Sequence, residues 1–251
     1  MDIKELQEAL KERCPGGVTV MENTSKDTFD FKCDTCGKCC TGSTSQEILL
    51  SPFDIYNMAK GLNMKIDEVI DKYTEYYLGN NSNFIVVRLL PKPRIIDGEI
   101  VVACQLLKDG KCSIHNHKPS TCRLYPLGRA AILDKADGNK EMVYFLQNHR
   151  CGGTGEHHTV DEWYPNKEIY DEVLQLQTHT LEELNKIMDL HHIDKYITSE
   201  EKEQIINNYY SILMVTYYCI YDLEKDFLPQ FKKNIEIVKK LSIATKQALE
   251  K

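Results

Sequence analysis

The sequence predicts an α+β fold: mostly helical, with short β-hairpins and a loop-rich cysteine cluster, followed by an all-helical C-terminal part. Three observations carry that expectation. Four thiols crowd into Cys33-Asp-Thr-Cys36-Gly-Lys-Cys39-Cys40. Short β-branched runs, broken by Asp-Gly and Pro, occupy the stretch from Phe84 to Leu146. Two capping-box patterns, Thr159-Val-Asp-Glu162 and Thr198-Ser-Glu-Glu201, open long amphipathic segments.

In chain order, residues 2–13 read as an amphipathic helix with Ile3, Leu6 and Leu10 on one face, stopped by Cys14-Pro-Gly-Gly17. The cysteine loop spans 33–42. Ser51-Pro52 supplies a cap and a first-turn proline for a helix over Phe53–Lys60, with Gly61 closing it. A second helix over about 65–78 would carry Ile66, Val69, Ile70, Tyr73 and Tyr77 on one stripe. Phe84–Leu90 is a β-type run. Ile95-Ile96, the Asp97-Gly98 turn and Ile100–Ala103 read as a hairpin. Asp109-Gly110 marks another turn, and Ala130–Leu133 with Met142–Leu146 suggest one more hairpin through Asp137-Gly-Asn139. Helices are then expected over 160–164, 167–190, 199–221 and 225–249. The implied organisation is an N-terminal helix and linker (1–28), a cysteine-cluster metal-binding domain (29–165) and a helical C-terminal extension packed on it (166–251).

At 251 residues the chain can bury a core without staples, so its ten cysteines are not there to rescue a miniature fold. The N-terminus interleaves charges with its apolar residues, unlike a secretory signal, and no apolar run reaches the roughly 18–20 residues that span a bilayer. The expected location is therefore the cytoplasm, where thiols stay reduced and cysteine clusters serve metal or redox chemistry. A net charge of −7 argues against a general nucleic-acid or anionic-membrane binder, with a local basic patch left open.

The spacing C-x-x-C-x-x-C-C brings sulfurs together in tight turns, as a tetrahedral metal or an iron–sulfur cluster requires, and Gly37 supplies the positive φ such a turn needs. Eight cysteines form the candidate ligand set: Cys33, Cys36, Cys39, Cys40, Cys104, Cys112, Cys122 and Cys151. Cys219, in an apolar helix, reads as a small hydrophobe, and Cys14 as a peripheral loop thiol. Side chains of Cys39 and Cys40 would point apart in an extended segment, which suggests two centres or one multinuclear one. That places a [4Fe–4S] cluster ahead of zinc. Lys32, Lys38, Lys111, Arg123 and Arg129 are available to offset the thiolate charge. His115, His117 and His149 are alternative ligands. Gly152, Gly153 and Gly155 could turn backbone amides toward a cluster or an anionic cofactor.

These residues resemble the YkgJ-type cysteine-cluster family, whose members are described as zinc- or iron-chelating. The match rests on Phe31-x-Cys33-x-x-Cys36-Gly37-x-Cys39-Cys40 and Cys104, then Gly110-Lys-Cys112-Ser-Ile114. It continues through Pro119-x-x-Cys122-Arg-x-Tyr125-Pro-Leu127 to Cys151 and the Thr159–Trp163 helix start. Two departures are visible: His115 where the family commonly has an aromatic, and Lys118-Pro119 where Arg-Pro is usual. The cysteine motif is also similar to that of the flagellin lysine methylases. That resemblance implies, as an alternative, methyl transfer from S-adenosylmethionine to a protein amine assisted by a [4Fe–4S] centre. Arg123 and Tyr125, beside Cys122, are then the candidates for substrate or donor contacts. A structural zinc module recruiting a protein through the helical tail is the third reading.

Overall fold

A computed structural model describes residues 8, 10, 18–41, 48–80, 82–96, 98–133, 140–147 and 152–251. The fold is α+β, with short antiparallel strand pairs and a helical C-terminal part. The expected N-terminal helix lies outside the described residues except at Glu8 and Leu10, which are helical. Cys14, His149, Cys151 and the 137–139 turn also lie outside them.

The chain divides into two compact units, Met1–Ile48 with Pro91–Gln175, and Leu49–Leu90 with Leu176–Lys251. In the first, Lys140–Gln147 pairs with Leu127–Leu133 as the hairpin signal predicts, and Val18–Met21 adds a third strand on its other edge. Buried Val143 and Phe145 pack with Leu10, Val18, Val20 and Ala130 on one face of this sheet. Gly128 is what lets the Phe145 ring lie across the sheet, since a Cβ there would stand 2.4 Å from it. A second pair joins Thr28–Lys32 to Gly153–Thr159, with a register irregularity between Gly153 and His157. Thr159 then caps the helix Val160–Trp163: its hydroxyl accepts from Glu162 N–H, and the Glu162 carboxylate accepts from Thr159 N–H. Arg129, Asp171 and Tyr144 form a half-buried polar network. Arg129 Nη1 is 2.9 Å from Asp171, and the Tyr144 hydroxyl donates to the same carboxylate.

In the second unit, Ser51 caps Pro52–Leu62 as expected, and Asp54 completes a capping box that the sequence reading did not name. The helix is closed by Asn63 at φ 52°, not by Gly61. The expected helix over 65–78 ends at Tyr73, and Thr74–Leu78 turns into a strand paired with Ile85–Leu89. The β-branched and aromatic residues Thr74, Tyr76 and Tyr77 follow the partner strand rather than the helical stripe. Glu200–Met214 runs into a π-helical turn at Val215–Cys219, and Phe227–Leu249 follows. The cap of Glu200–Met214 is Ser199, one residue after the Thr198 of the sequence pattern. Phe227 and Phe231 stack at 5.2 Å, with Phe53 4.9 Å from Phe227 and Tyr217 5.4 Å from Phe231.

Candidate metal centre

The scaffold around the cysteines starts from Phe31, which is buried and meets Trp163 edge-on at 5.3 Å and Tyr125 at 6.0 Å. Trp163 donates its indole N–H to the Leu124 carbonyl at 3.1 Å, at the end of the helix Ser120–Leu124 that bears Cys122. One aromatic group therefore anchors both the strand leading to Cys33 and the helix holding Cys122. Gly152, at φ 84°, permits this packing, because a Cβ would lie 2.4 Å from the Phe31 ring.

Three residues past Lys32 the backbone enters positive φ at Thr35 (50°) and again at Gly37 (71°). Gly37 is needed twice. It adopts a left-handed conformation, and a Cβ on it would stand 2.9 Å from both the Gly110 carbonyl oxygen and Leu107 Cδ1. The cysteine turn thus rests directly on the hairpin Leu107–Lys108/Lys111–Cys112. That hairpin's two-residue loop, Asp109 (φ 50°) and Gly110 (φ 75°), has the backbone of a type I′ turn. Cys104 N–H donates to the Cys40 carbonyl at 2.9 Å, Leu107 N–H to the Cys104 carbonyl at 3.1 Å, and Ser113 N–H to the Leu106 carbonyl at 2.8 Å. Arg94, from the strand Lys92–Ile96, clamps the same loop by donating to the Leu107 and Gln105 carbonyls.

Cys39 and Cys40 lie on the short helix Lys38–Thr41. The expectation that they sit in an extended segment and point to opposite sides therefore does not hold: successive helical residues are about 100° apart, not 180°. The Cys40 thiol is within hydrogen-bond reach of the sulfurs of both Cys39 and Cys104. By hydrogen-bonding to them it pulls Cys39 down to about 6 and Cys104 to about 7, while its own proton is held far above the usual thiol range. Backbone amides of Leu106 and Leu107 also lower Cys104, and that of Ile114 opposes the rise of Cys112. Burial pushes the Cys122 thiol up, and the negative charge of Cys104, Cys39 and Cys112 pushes it further. Burial raises Cys112 as well. These mutual effects place Cys39, Cys40, Cys104, Cys112 and Cys122 in one electrostatic neighbourhood.

The cations that act on these sulfurs are Lys118, on Cys39, Cys112 and Cys122, and Arg94, on Cys104. Arg94 is not among the basic residues that the sequence singles out: it precedes the expected hairpin at Ile95, and the strand that carries it begins at Lys92. Two of the basic residues that the sequence does single out are engaged elsewhere: Lys32 with Glu156 at 2.8 Å and Arg129 with Asp171. Arg123 donates to the Asn116 carbonyl, and Tyr125 packs on Phe31. Gly153 pairs with Lys32 in the sheet, and Gly155 N–H donates to Asp30 at 3.3 Å. The His115 imidazole is held below its ordinary value by burial and by Lys118 and Arg123, which favours its neutral form.

Cys33 and Cys36 are exposed; Cys40, Cys104, Cys112 and Cys122 are half-buried. Among the described residues, no three His, Cys, Asp or Glu side chains already stand around one point as a closed coordination sphere would. The donor set nonetheless fits zinc or iron in kind. It consists of soft sulfurs, two of them with depressed pKa, with backbone N–H groups and two cations aimed at them to offset thiolate charge.

Residues 32–152 match the family model CxxCxxCC, described as "Putative zinc- or iron-chelating domain", a span that contains all eight cysteines of the candidate set. No curated protein and no solved structure matches the chain. Among the described residues, no helix is long and apolar enough to cross a membrane.

Proposed function

We propose, from the match of residues 32–152 to the "Putative zinc- or iron-chelating domain", that the chain binds an iron–sulfur or zinc centre through the sulfurs gathered around Cys40. Of the eight candidate cysteines, its resident ligands are drawn from Cys39, Cys40, Cys104, Cys112, Cys122 and Cys151. The observation that supports this most directly is the Cys104 N–H bonded to the Cys40 carbonyl at 2.9 Å, which holds the cysteine turn against the loop leading to Cys112. More candidate thiols than the four that one zinc ion or one [4Fe–4S] cluster takes favour two centres or one multinuclear iron–sulfur centre. When bound, iron would supply one-electron chemistry and zinc a cross-link. The protein's own part is to hold the sulfurs as thiolates: Arg94 and Lys118 offset their charge, and the amides of Leu106, Leu107 and Ile114 cap them. Thiols at this density suit a reducing compartment, so we place the protein in the cytoplasm.

Methyl transfer from S-adenosylmethionine gains no separate support. A cleft of about 540 Å³ is lined by Val20, Met21, Asn23, Tyr144, Lys167 and Asp171 among others, and by none of Arg123, Tyr125 or the 152–155 glycines.

Anaerobic purification followed by iron, zinc and acid-labile sulfide analysis tests the proposal. A brown protein with iron and sulfide, bleached by dithionite, is expected, with most of the metal lost in Cys40→Ser. A colourless protein with stoichiometric zinc and no iron would leave zinc alone. A protein that takes neither metal overturns the reading.

A further inference from the structure

The seven described thiols of the candidate set divide by exposure. Cys33 and Cys36 are at the surface, Cys39 is exposed but touches Cys40, and Cys40, Cys104, Cys112 and Cys122 are half-buried. The stretch carrying the outermost pair is secured at its two ends. Phe31 is locked between Trp163 and Tyr125 on one side, and Gly37 is seated on Gly110 and Leu107 on the other. Between those anchors, residues 33–36 make no backbone hydrogen bond to another described residue. Asp34 stands exposed between the two thiols, and the nearest cation before it, Lys32, is occupied by Glu156 at 2.8 Å. A segment pinned at both ends, with two surface thiols and a carboxylate, is suited to meet a soft cation rather than to enclose one.

We propose that Cys33 and Cys36 form a capture pair, which takes a thiol-bound metal ion from solution and passes it through Cys39 to the inner sulfurs. This rests on the metal-binding reading and adds a division of labour to it. The substrate class is a thiophilic cation carried by low-molecular-weight thiols. In each exchange, one metal–sulfur bond to the carrier breaks and one to Cys33 or Cys36 forms. The cysteine's proton leaves with the released carrier thiolate, and the oxidation state of the metal does not change. Cys39 then displaces the capture pair in the same way, and Cys40 lies next in line. The tether keeps the captured ion at high effective concentration beside Cys39, which is what makes a second step inside the protein faster than direct entry.

The experiment uses the full chain and zinc as its glutathione complex. Wild type and the C33S/C36S double variant are compared for zinc bound at equilibrium, by native mass spectrometry, and for the rate of loading. Far-UV circular dichroism establishes that both are folded. The expected result is unchanged stoichiometry with loading slowed by roughly tenfold or more, as loss of a tethered intermediate site implies. A double variant that loads at the wild-type rate overturns the capture role. So does one with lower stoichiometry, because the pair would then be resident ligands. If wild type itself takes neither zinc nor iron, the metal-binding reading has failed and takes the capture pair with it, an outcome distinct from both of the others.

Discussion

In the unit formed by Leu49–Leu90 and Leu176–Lys251, Phe53, Tyr56, Tyr217, Tyr221, Phe227 and Phe231 are all buried and touch one another ring to ring. The cysteine-bearing part of the other unit has a smaller aromatic anchor at its margins, Phe31 against Trp163 and Tyr125. Across 33–41 and 98–124 the buried apolar residues are Ala103, Leu106, Leu107, Ile114, Pro119 and Leu124. Those residues are held by a tight hairpin turn, a glycine contact, loop hydrogen bonds and the sulfurs themselves. Each large ring buried in the aromatic unit contributes about 1.5–3 kcal/mol. The cysteine segment has fewer and smaller side chains to bury. Metal–thiolate bonds would add most where that apolar term is smallest.

The largest expected effect follows from that contrast. Removing the metal with a strong chelator should erase hydrogen-exchange protection over 33–41 and 104–124 and leave the helices at 200–214 and 227–249 protected. Structural thiolate sites stabilise small folds by as much as about 10–16 kcal/mol. Equal loss in both regions would show that the units do not differ in this way. Acid should act in the same direction. Cys39 and Cys104 are depressed, to about 6 and about 7. Their contribution is therefore complete above the ordinary thiol range and is lost as pH falls through 7 and then 6. Cys40 is raised and contributes with the opposite sign, its cost appearing only in alkali. Metal content measured against pH should fall in that acidic window.

The reverse experiment is Phe231→Ala. The ring is fully buried against Phe227 and Tyr217, and its loss should cost about 3–5 kcal/mol in denaturant unfolding of the aromatic unit. Metal stoichiometry should not change. A proportional loss of metal would mean that the cysteine segment depends on that core. A smaller effect is expected from Gly37→Ala. A left-handed non-glycine residue costs about 1–2 kcal/mol, and the added Cβ would also press on a backbone oxygen that cannot easily move. Gly98→Ala is the control, because Gly98 has φ 84° with nothing within 4 Å. Weaker metal binding in the Gly37 variant but not in the Gly98 variant would isolate the contact between turn and hairpin.

Local chemistry made several of these features legible before any coordinates. Positive φ at Gly37, the Ser51 cap, the Thr159 capping box and the Asp109-Gly110 turn are each set by a residue and its immediate neighbours. What could not be read depends on partners far along the chain. Thr74–Leu78 leaves the helical stripe because Ile85–Leu89 is there to pair with it, and Val18–Met21 becomes a strand beside residues more than a hundred positions later. The grouping of 49–90 with the C-terminal helices is of the same kind. At the cysteines, residue types and spacing identified the donors. The helical geometry of Cys39 and Cys40 and the approach of Arg94 and Lys118 arise only when separate loops meet.

The smallest effect sharpens the aromatic side of the comparison and settles a one-residue register. The sequence pattern makes Thr198 the cap of the third C-terminal helix, with Glu201 at its third position. The structure instead gives Ser199, whose hydroxyl accepts from Lys202 N–H at 3.3 Å. Ser199→Ala should therefore cost about 0.5–1 kcal/mol, at the low end for a cap because the bond is long. Glu200, Glu201 and Glu203 in the first turn still interact favourably with the helix N-terminus and limit the damage. Thr198→Ala should be close to neutral. If urea midpoints instead show Thr198 to be the costlier substitution, the helix starts one residue earlier than Ser199 implies. Neither substitution should alter metal content, since the cap belongs to the unit that apolar burial holds together.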